Sequence, residues 1–334
     1  MAFNTQSYAP KRKTSKSSLV ALLLILATLG LVYFEHQNIQ DWLKLRNYTA
    51  PVAVAQLAAD DTMTPYARKV FYVNGPALED KTTFKQCKIG GEQTIILGCY
   101  HGPQNGIFLL TVTDPRLNGV EEVTAAHEML HAAYDRLSTS DRASIDKQLR
   151  EYFNNDLKDE RVRQTIEAYR SFEPNDLTNE MHSIFGTEVA SLPAPLEKYY
   201  TRYFTDRSKV SSFAAKYQAE FISRQDAIKA DDAQLNAWKT QLDSLEADLS
   251  ARQKALDADS ARLQQLKSSG NTQQYNAGVP GFNASVNAFN AEVVQIRDLV
   301  TKYNALVNTR NSIALEAQQL TNEIDSSVAP IERK

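Results

Sequence analysis

The stretch VTAAHEMLHAAYDRL, residues 123–137, decides the fold of this chain. It is rich in Ala, Leu and Met and has no Gly or Pro, so its helix propensity is high. Residues four apart lie on one face of a helix, and His127 and His131 can therefore reach the same metal ion. Glu128, beside the first His, is placed to take a proton from water at that metal. The pentad predicts a helix that carries a hydrolytic metal site.

An alternative reading is a buried amphipathic helix with two ordinary His residues and a solvated Glu. The chain has only 5 His, which makes an accidental His-Glu-x-x-His pattern uncommon. The flanking Ala and Leu residues predict burial, and buried imidazoles and carboxylates without partners are costly. A bound Zn2+ would supply the missing partner, and we favour the metal site.

A catalytic zinc usually has three protein ligands, and the third must come from elsewhere in the chain. Residues 177–192 read as a second helix that offers Glu180 and Glu188. The Asn before Glu180 and its place near the helix start favour Glu180. The other carboxylate could orient a ligand His. His182 is turned about 200° from Glu180 on a helix, so it is either a surface His or a candidate hydrogen-bond donor to the transition state.

With His127, Glu128, His131 and the Asn179-Glu180 pair, the chain resembles the gluzincin metallopeptidases, the thermolysin-like branch of the zincins. The resemblance covers residues 65–205, and its specific part is the pentad. It implies an α+β class: a zincin-like domain with a small sheet and active-site helices. It also implies a zinc-dependent hydrolase that cleaves peptide or protein substrates.

Three segments rich in β-branched and aromatic residues precede the pentad and are predicted as strands: residues 69–73, 94–100 and 106–112. By the same resemblance, one strand would form the edge of the cleft. We predict residues 107–112 as that edge, where an extended peptide could pair with it.

The N-terminal segment predicts a membrane anchor. A basic cluster at residues 11–16 precedes an uncharged apolar run of 18 residues, 17–34. That length is near the lower limit for a spanning helix, and the basic cluster predicts a cytoplasmic tail at residues 1–16. A cleaved signal peptide is the alternative. The expected localisation is a single-pass cell-membrane protein with a linker at 35–64 and an extracytoplasmic catalytic domain.

Cys87 and Cys99 are the chain's 2 cysteines. Close spacing in an extracytoplasmic domain predicts a disulfide that closes a hairpin. The alternative is a pair of metal ligands, but the chain has no second Cys pair, and the His-Glu site already accounts for a metal.

From about residue 206 the composition becomes polar, and apolar residues recur in heptads. The first series is Ile228, Leu235, Leu242, Leu249, Leu256 and Leu263. A breaker at 268–282 precedes a second apolar stripe that begins at Val286. The pattern predicts an antiparallel coiled-coil hairpin over residues 206–328, suited to a protein partner or to self-association.

Taken together, these features predict a membrane-anchored extracytoplasmic zinc metalloprotease. The alternative is a non-catalytic zincin-like adaptor whose coiled coil binds a partner in the cell envelope. Glu128 favours the enzyme, because a structural metal site has no need of a base. The net charge of −3 and the lack of a basic patch beyond the N-terminal cluster give no indication of nucleic-acid binding.

Overall fold

The computed structural model describes residues 16–87, 95–172 and 174–327. The described helices are, in chain order, α1 (Lys16–Leu45), α2 (Val52–Asp60), α3 (Pro65–Val73), α4 (Val120–Asp135), α5 (Thr139–Asn155), α6 (Glu160–Phe172), α7 (Leu177–Thr187), α8 (Ala194–Tyr200), α9 (Arg207–Ser268) and α10 (Thr272–Ile324). The strands are β1 (Ala77–Glu79), β2 (Gly98–His101) and β3 (Gly106–Leu110). The molecule is 75% helical, so the predicted α+β class is wrong.

One predicted strand is a helix. Residues 69–73 have a β-rich composition, but they lie in α3. Thr64 caps this helix by accepting a hydrogen bond from the Ala67 N–H at 3.2 Å, and Pro65 occupies its first turn. Ala67, Val70 and Phe71 then recur at helical spacing and are fully buried. The N-terminal cap and the helical spacing of the buried residues therefore favour a helix more strongly than the β-rich composition favours a strand.

The small sheet has the strand order β1-β3-β2. Strand β3 is central: it is parallel to β1 and antiparallel to β2. The prediction that residues 107–112 form an edge strand is therefore wrong, because β3 is paired with β1 on one side and with β2 on the other. The edge beside the candidate site is β2.

Helix α1 begins at Lys16 and continues past the apolar run through Glu35, Asp41 and Lys44. Its C-terminal part contacts the globular domain, where Asp41 forms an ion pair with Arg136 at 2.7 Å. Within the described ranges, none of the helices combines the length and the apolar character that crossing a bilayer requires. This finding contradicts the anchor predicted at residues 17–34 and the single-pass membrane localisation derived from it. Residues 1–15, with most of the predicted basic tail, lie outside the described residues.

Helix α4 lies at the centre of the globular core. Ala125, Ala126, Met129, Leu130 and Ala133 are fully buried and pack against α2, α3, α7 and β3. The small Ala side chains allow neighbouring elements to approach closely, and burial of α4 fixes which face its polar residues can present.

Cys87 and Cys99 form the predicted disulfide, with their Cα atoms 5.5 Å apart. The bond joins the segment after β1 to strand β2. Residues 88–94 of the expected hairpin lie outside the described residues.

Helices α9 and α10 pair along their length and are joined at residues 269–271. At 1.5 Å per residue, the 62 residues of α9 span about 93 Å. The base of this arm belongs to the core: Val210 of α9 is buried in the main cluster, while Leu320 and Ile324 of α10 pack against Leu117 and Val120. The globular unit therefore extends past residue 206 into both arm helices.

Candidate metal centre

Two helices bring three potential metal ligands together. His127 and His131 lie one turn apart on α4, with their Nε2 atoms 3.0 Å apart. Glu180, in the first turn of α7, places Oε2 3.6 Å from His127 Nε2 and Oε1 3.4 Å from His131 Nε2. His131 and Glu180 are buried and His127 is partly buried, and the ligand atoms of the three lie within 4.8 Å of one another.

This donor set fits a tetrahedral divalent metal. Ligand atoms held tetrahedrally at about 2.1 Å from zinc lie about 3.4 Å from one another. The two imidazole nitrogens are 3.0 Å apart, and each lies 3.4 or 3.6 Å from a different carboxylate oxygen of Glu180, close to that value. Glu180 Oε2 is buried, and none of the described residues forms a hydrogen bond with it, as expected for an atom whose partner is a cation. The two imidazoles hold the pKa of Glu180 below its usual value despite its burial.

Glu128 lies beside the three ligands but is not one of them. It is only 6% exposed, and its burial, with a smaller contribution from Glu180, raises its pKa to about 7. His131 and the backbone N–H of Tyr100, which donates to the carboxylate, oppose this rise. The strand β2 therefore contacts the carboxylate that the sequence predicts to be a base.

Gly98 allows β2 to lie this close to α4. A Cβ at this position would be 2.6 Å from Thr124 Cγ2 and 3.1 Å from Glu128 Oε1. Sequence reasoning missed both Gly98 and the Tyr100 N–H, because neither has a signal apart from its neighbours in space.

Glu188, the alternative third ligand, is held elsewhere. Its Oε2 accepts hydrogen bonds from Arg161 at 2.7 Å and from Gln218 at 3.0 Å. It ends α7 and lines the far part of the same cleft. The structure thus brings Glu180, and not Glu188, to the two His residues.

His182 points away from the cleft into a cluster of aromatic rings. It is fully buried, and its Nε2 lies 2.9 Å from the Tyr199 hydroxyl. Burial, followed by the nearby His131 and His127, lowers its pKa to about 3. The structure therefore does not bring this candidate donor to the position where a substrate would lie.

The ligands open onto a cleft of about 440 Å³. Its walls come from β2 with the disulfide, from α4, from α7 and from the base of α9, which contributes Tyr217. A cleft of this size suits a few residues of an extended chain or a small molecule.

Comparisons with protein-family models, with curated proteins and with solved structures found no match for this chain. The interpretation of the site therefore rests on the pentad, on the convergence of three ligand atoms and on the buried carboxylate beside them.

Proposed function

We propose that this protein is a zinc-dependent metallopeptidase. The observation that carries the proposal is the convergence of His127, His131 and Glu180, with the Glu128 carboxylate beside them. Glu180 follows His131 by 49 residues, so only the fold brings it to the two His side chains.

The residues fit the requirements of hydrolysis. A zinc ion held by the three ligands supplies Lewis-acid chemistry and makes water acidic near neutral pH. Glu128 accepts the proton of the attacking water and donates it to the amine of the leaving fragment. A hydrogen bond from the Tyr100 N–H favours the charged form of the Glu128 carboxylate. Helices α4 and α7 are largely buried, which favours a fixed geometry of the side chains that they carry into the site.

The edge strand β2 borders the cleft and presents backbone groups beside Glu128. An extended peptide has the backbone donors and acceptors that can pair with such an edge. This favours an unstructured segment of a protein as substrate over a compact folded one.

The test combines zinc content with hydrolysis. The purified full chain should contain one zinc per molecule and cleave an unstructured protein such as casein, and a chelator should abolish cleavage. Glu128→Gln should keep its zinc and lose hydrolysis, because Glu128 is not a ligand. Loss of zinc in that variant, or a zinc-loaded wild type that cleaves nothing, would overturn the proposal.

A non-catalytic adaptor is the second candidate, and the arm is the observation that favours it. Helices α9 and α10 extend far beyond the globular core and expose apolar side chains such as Val294 and Leu315. Zinc bound without hydrolysis, together with capture of a partner through the arm, would support this alternative.

A further inference from the structure

Strand β2 and helix α4 lie side by side along the cleft. At one end, a Cβ on Gly98 would lie 2.6 Å from Thr124 Cγ2. At the other end, a Cβ on Gly102, the first residue of the turn between β2 and β3, would lie 2.8 Å from Asp135 Oδ2. Glu128 lies between these two close approaches, so the distance between β2 and α4 decides which groups surround its carboxylate.

Just beyond the second close approach, one carboxylate of α1 holds both elements. Asp41 accepts two hydrogen bonds from the guanidinium of Arg136, the C-cap of α4, at 2.7 and 2.9 Å. Its Oδ1 also accepts a hydrogen bond at 2.8 Å from Nε2 of Gln104, which lies in the turn between β2 and β3. The side chains of Asp41 and Arg136 are only 3% and 7% exposed. A bidentate pair of this kind fixes orientation as well as distance, and here it is shielded from solvent.

The turn between β2 and β3 depends on α1 for its conformation. Gln104 has a φ of 61°, in the left-handed region that costs energy for a residue with a side chain. Such a conformation persists where the surrounding structure holds it. Helix α1 holds this residue twice, because Asp41 binds its side chain and Lys44 Nζ donates to its carbonyl at 2.7 Å.

Asp41 has a third and weaker partner. Lys69 of α3 lies 3.6 Å from Asp41 Oδ2, and its side chain is 35% exposed. Burial raises the pKa of Asp41, but the hydrogen bond and charge of Arg136, with a smaller contribution from Lys69, hold this pKa below its usual value. Asp41 is therefore charged at neutral pH, and its contact with Arg136 is an ion pair.

We propose that Asp41 is a positioning residue for the candidate metal centre: it holds the β2–β3 turn against the end of α4 and thereby keeps β2 beside Glu128. Removal of its charge leaves Arg136 buried without a counter-ion and weakens the contact with Gln104, so β2 can move away from α4. The proposal rests on the proposed function only in giving Glu128 a catalytic role. It makes the C-terminal part of α1 a component of the site, although α1 does not line the cleft.

The first experiment measures the position of β2 without any need for catalysis. The N–H of Tyr100 donates to Glu128, so its hydrogen exchange, followed by NMR in the full chain, reports on that contact. Asp41→Asn should make exchange at Tyr100 about tenfold faster, while the buried amides of Met181 and Ile184 in α7 should exchange at the wild-type rate. Gln104→Met keeps the length of the side chain and removes only its N–H donor, and it should accelerate exchange at Tyr100 in the same direction.

The second experiment separates kcat from KM with an unstructured peptide as substrate. Misplacement of a catalytic group by about 1 Å can cost about a hundredfold in rate, so Asp41→Asn should lower kcat by about tenfold or more. Its KM and its zinc content should change by less than about twofold, because the metal ligands lie on α4 and α7. Lys69→Gln is the matched control, since it removes the partner of Asp41 on α3 and leaves the bonds to Arg136 and Gln104; it should change neither kcat nor exchange at Tyr100.

Three results would overturn the proposal. They are unchanged exchange at Tyr100 in both Asp41→Asn and Gln104→Met, an equal effect of Lys69→Gln, and loss of zinc from a folded Asp41→Asn, which would show that Asp41 supports the metal ligands instead of β2. If Asp41→Asn does not fold, Gln104→Met alone decides, and unchanged exchange there refutes the role of the turn. If exchange responds as expected but the wild type cleaves no peptide, the proposed function fails and the positioning role of Asp41 stands.

Discussion

Gly98 offers the sharpest test of how β2 and α4 form the site. A Cβ at this position would lie 2.6 Å from Cγ2 of Thr124, closer than real Cβ contacts allow, and 3.1 Å from Cγ and Oε1 of Glu128. Gly98→Ala must therefore push β2 away from α4 or displace both side chains. Overpacking of this kind costs about 1–3 kcal/mol in the free energy of unfolding.

A second substitution separates the two contacts. Thr124→Ser removes Cγ2 but keeps the hydroxyl that donates to the Val120 carbonyl at 2.8 Å. Gly98→Ala combined with Thr124→Ser should therefore regain most of the lost stability, with a coupling energy of about 1–2 kcal/mol. The contact of the new methyl with Glu128 remains, so hydrolysis should stay low in the double variant.

Urea unfolding, zinc content and casein hydrolysis are measured for the wild type, both single variants and the double variant. Gly281→Ala is the control, because no atom of the residues that the structure describes lies within 4 Å of a Cβ there. Two results would refute the close approach of β2 to α4. One is a Gly98→Ala variant that is no less stable than this control, and the other is a double variant in which Thr124→Ser restores none of the lost stability. Full hydrolysis in the double variant would show that the strand does not position Glu128.

Three further predictions concern ligands, the arm and a buried acid. Glu180→Ala should weaken zinc binding strongly, and Glu188→Ala only mildly because Arg161 already holds that carboxylate; a metal-affinity titration that gave the reverse order would make Glu188 the ligand. Deletion of residues 210–328 should yield an unfolded, metal-free product because it removes the core-packed base of the arm, whereas replacement of residues 233–309 by a short Gly-Ser linker should preserve both the melting temperature and the zinc content. Asp61 is fully buried, and no described residue forms a hydrogen bond with either of its carboxylate oxygens. Burial raises its pKa well above the usual value, so the free energy of unfolding falls as the pH rises above the pKa of an Asp in the unfolded chain. Asp61→Asn should therefore be more stable than the wild type at pH 7 in urea unfolding, and this gain should vanish below about pH 4; an equal gain at both pH values would contradict the reasoning.

Structural features that depend on residues close together in the sequence could be predicted from the sequence. The spacing of His127 and His131 puts both imidazoles on one face because helical periodicity is local. The pairing of Cys87 with Cys99 follows from the scarcity of cysteines, and the structure confirms it. Residues 69–73 show the limit of such reasoning, since a cap at Thr64 outside the segment made it a helix.

The third ligand was beyond the reach of the sequence. Glu180 and Glu188 were both available on the same predicted helix, and Arg161 and Gln218 decide between them by holding Glu188. Both partners are distant in sequence, so no local pattern connects them to α7. His182 shows the same dependence, because the tyrosines that surround it come from other helices.

The sequence by itself determined the chemistry available: two imidazoles one turn apart, a carboxylate beside them and a second predicted helix with two acids, Glu180 and Glu188. The tertiary structure alone decided which acid meets the imidazoles, that β2 and not β3 is the edge beside Glu128, and that the base of the arm belongs to the core. The physical reason is that side-chain periodicity is encoded over a few residues. Which buried polar groups satisfy one another depends on packing between segments far apart in the chain.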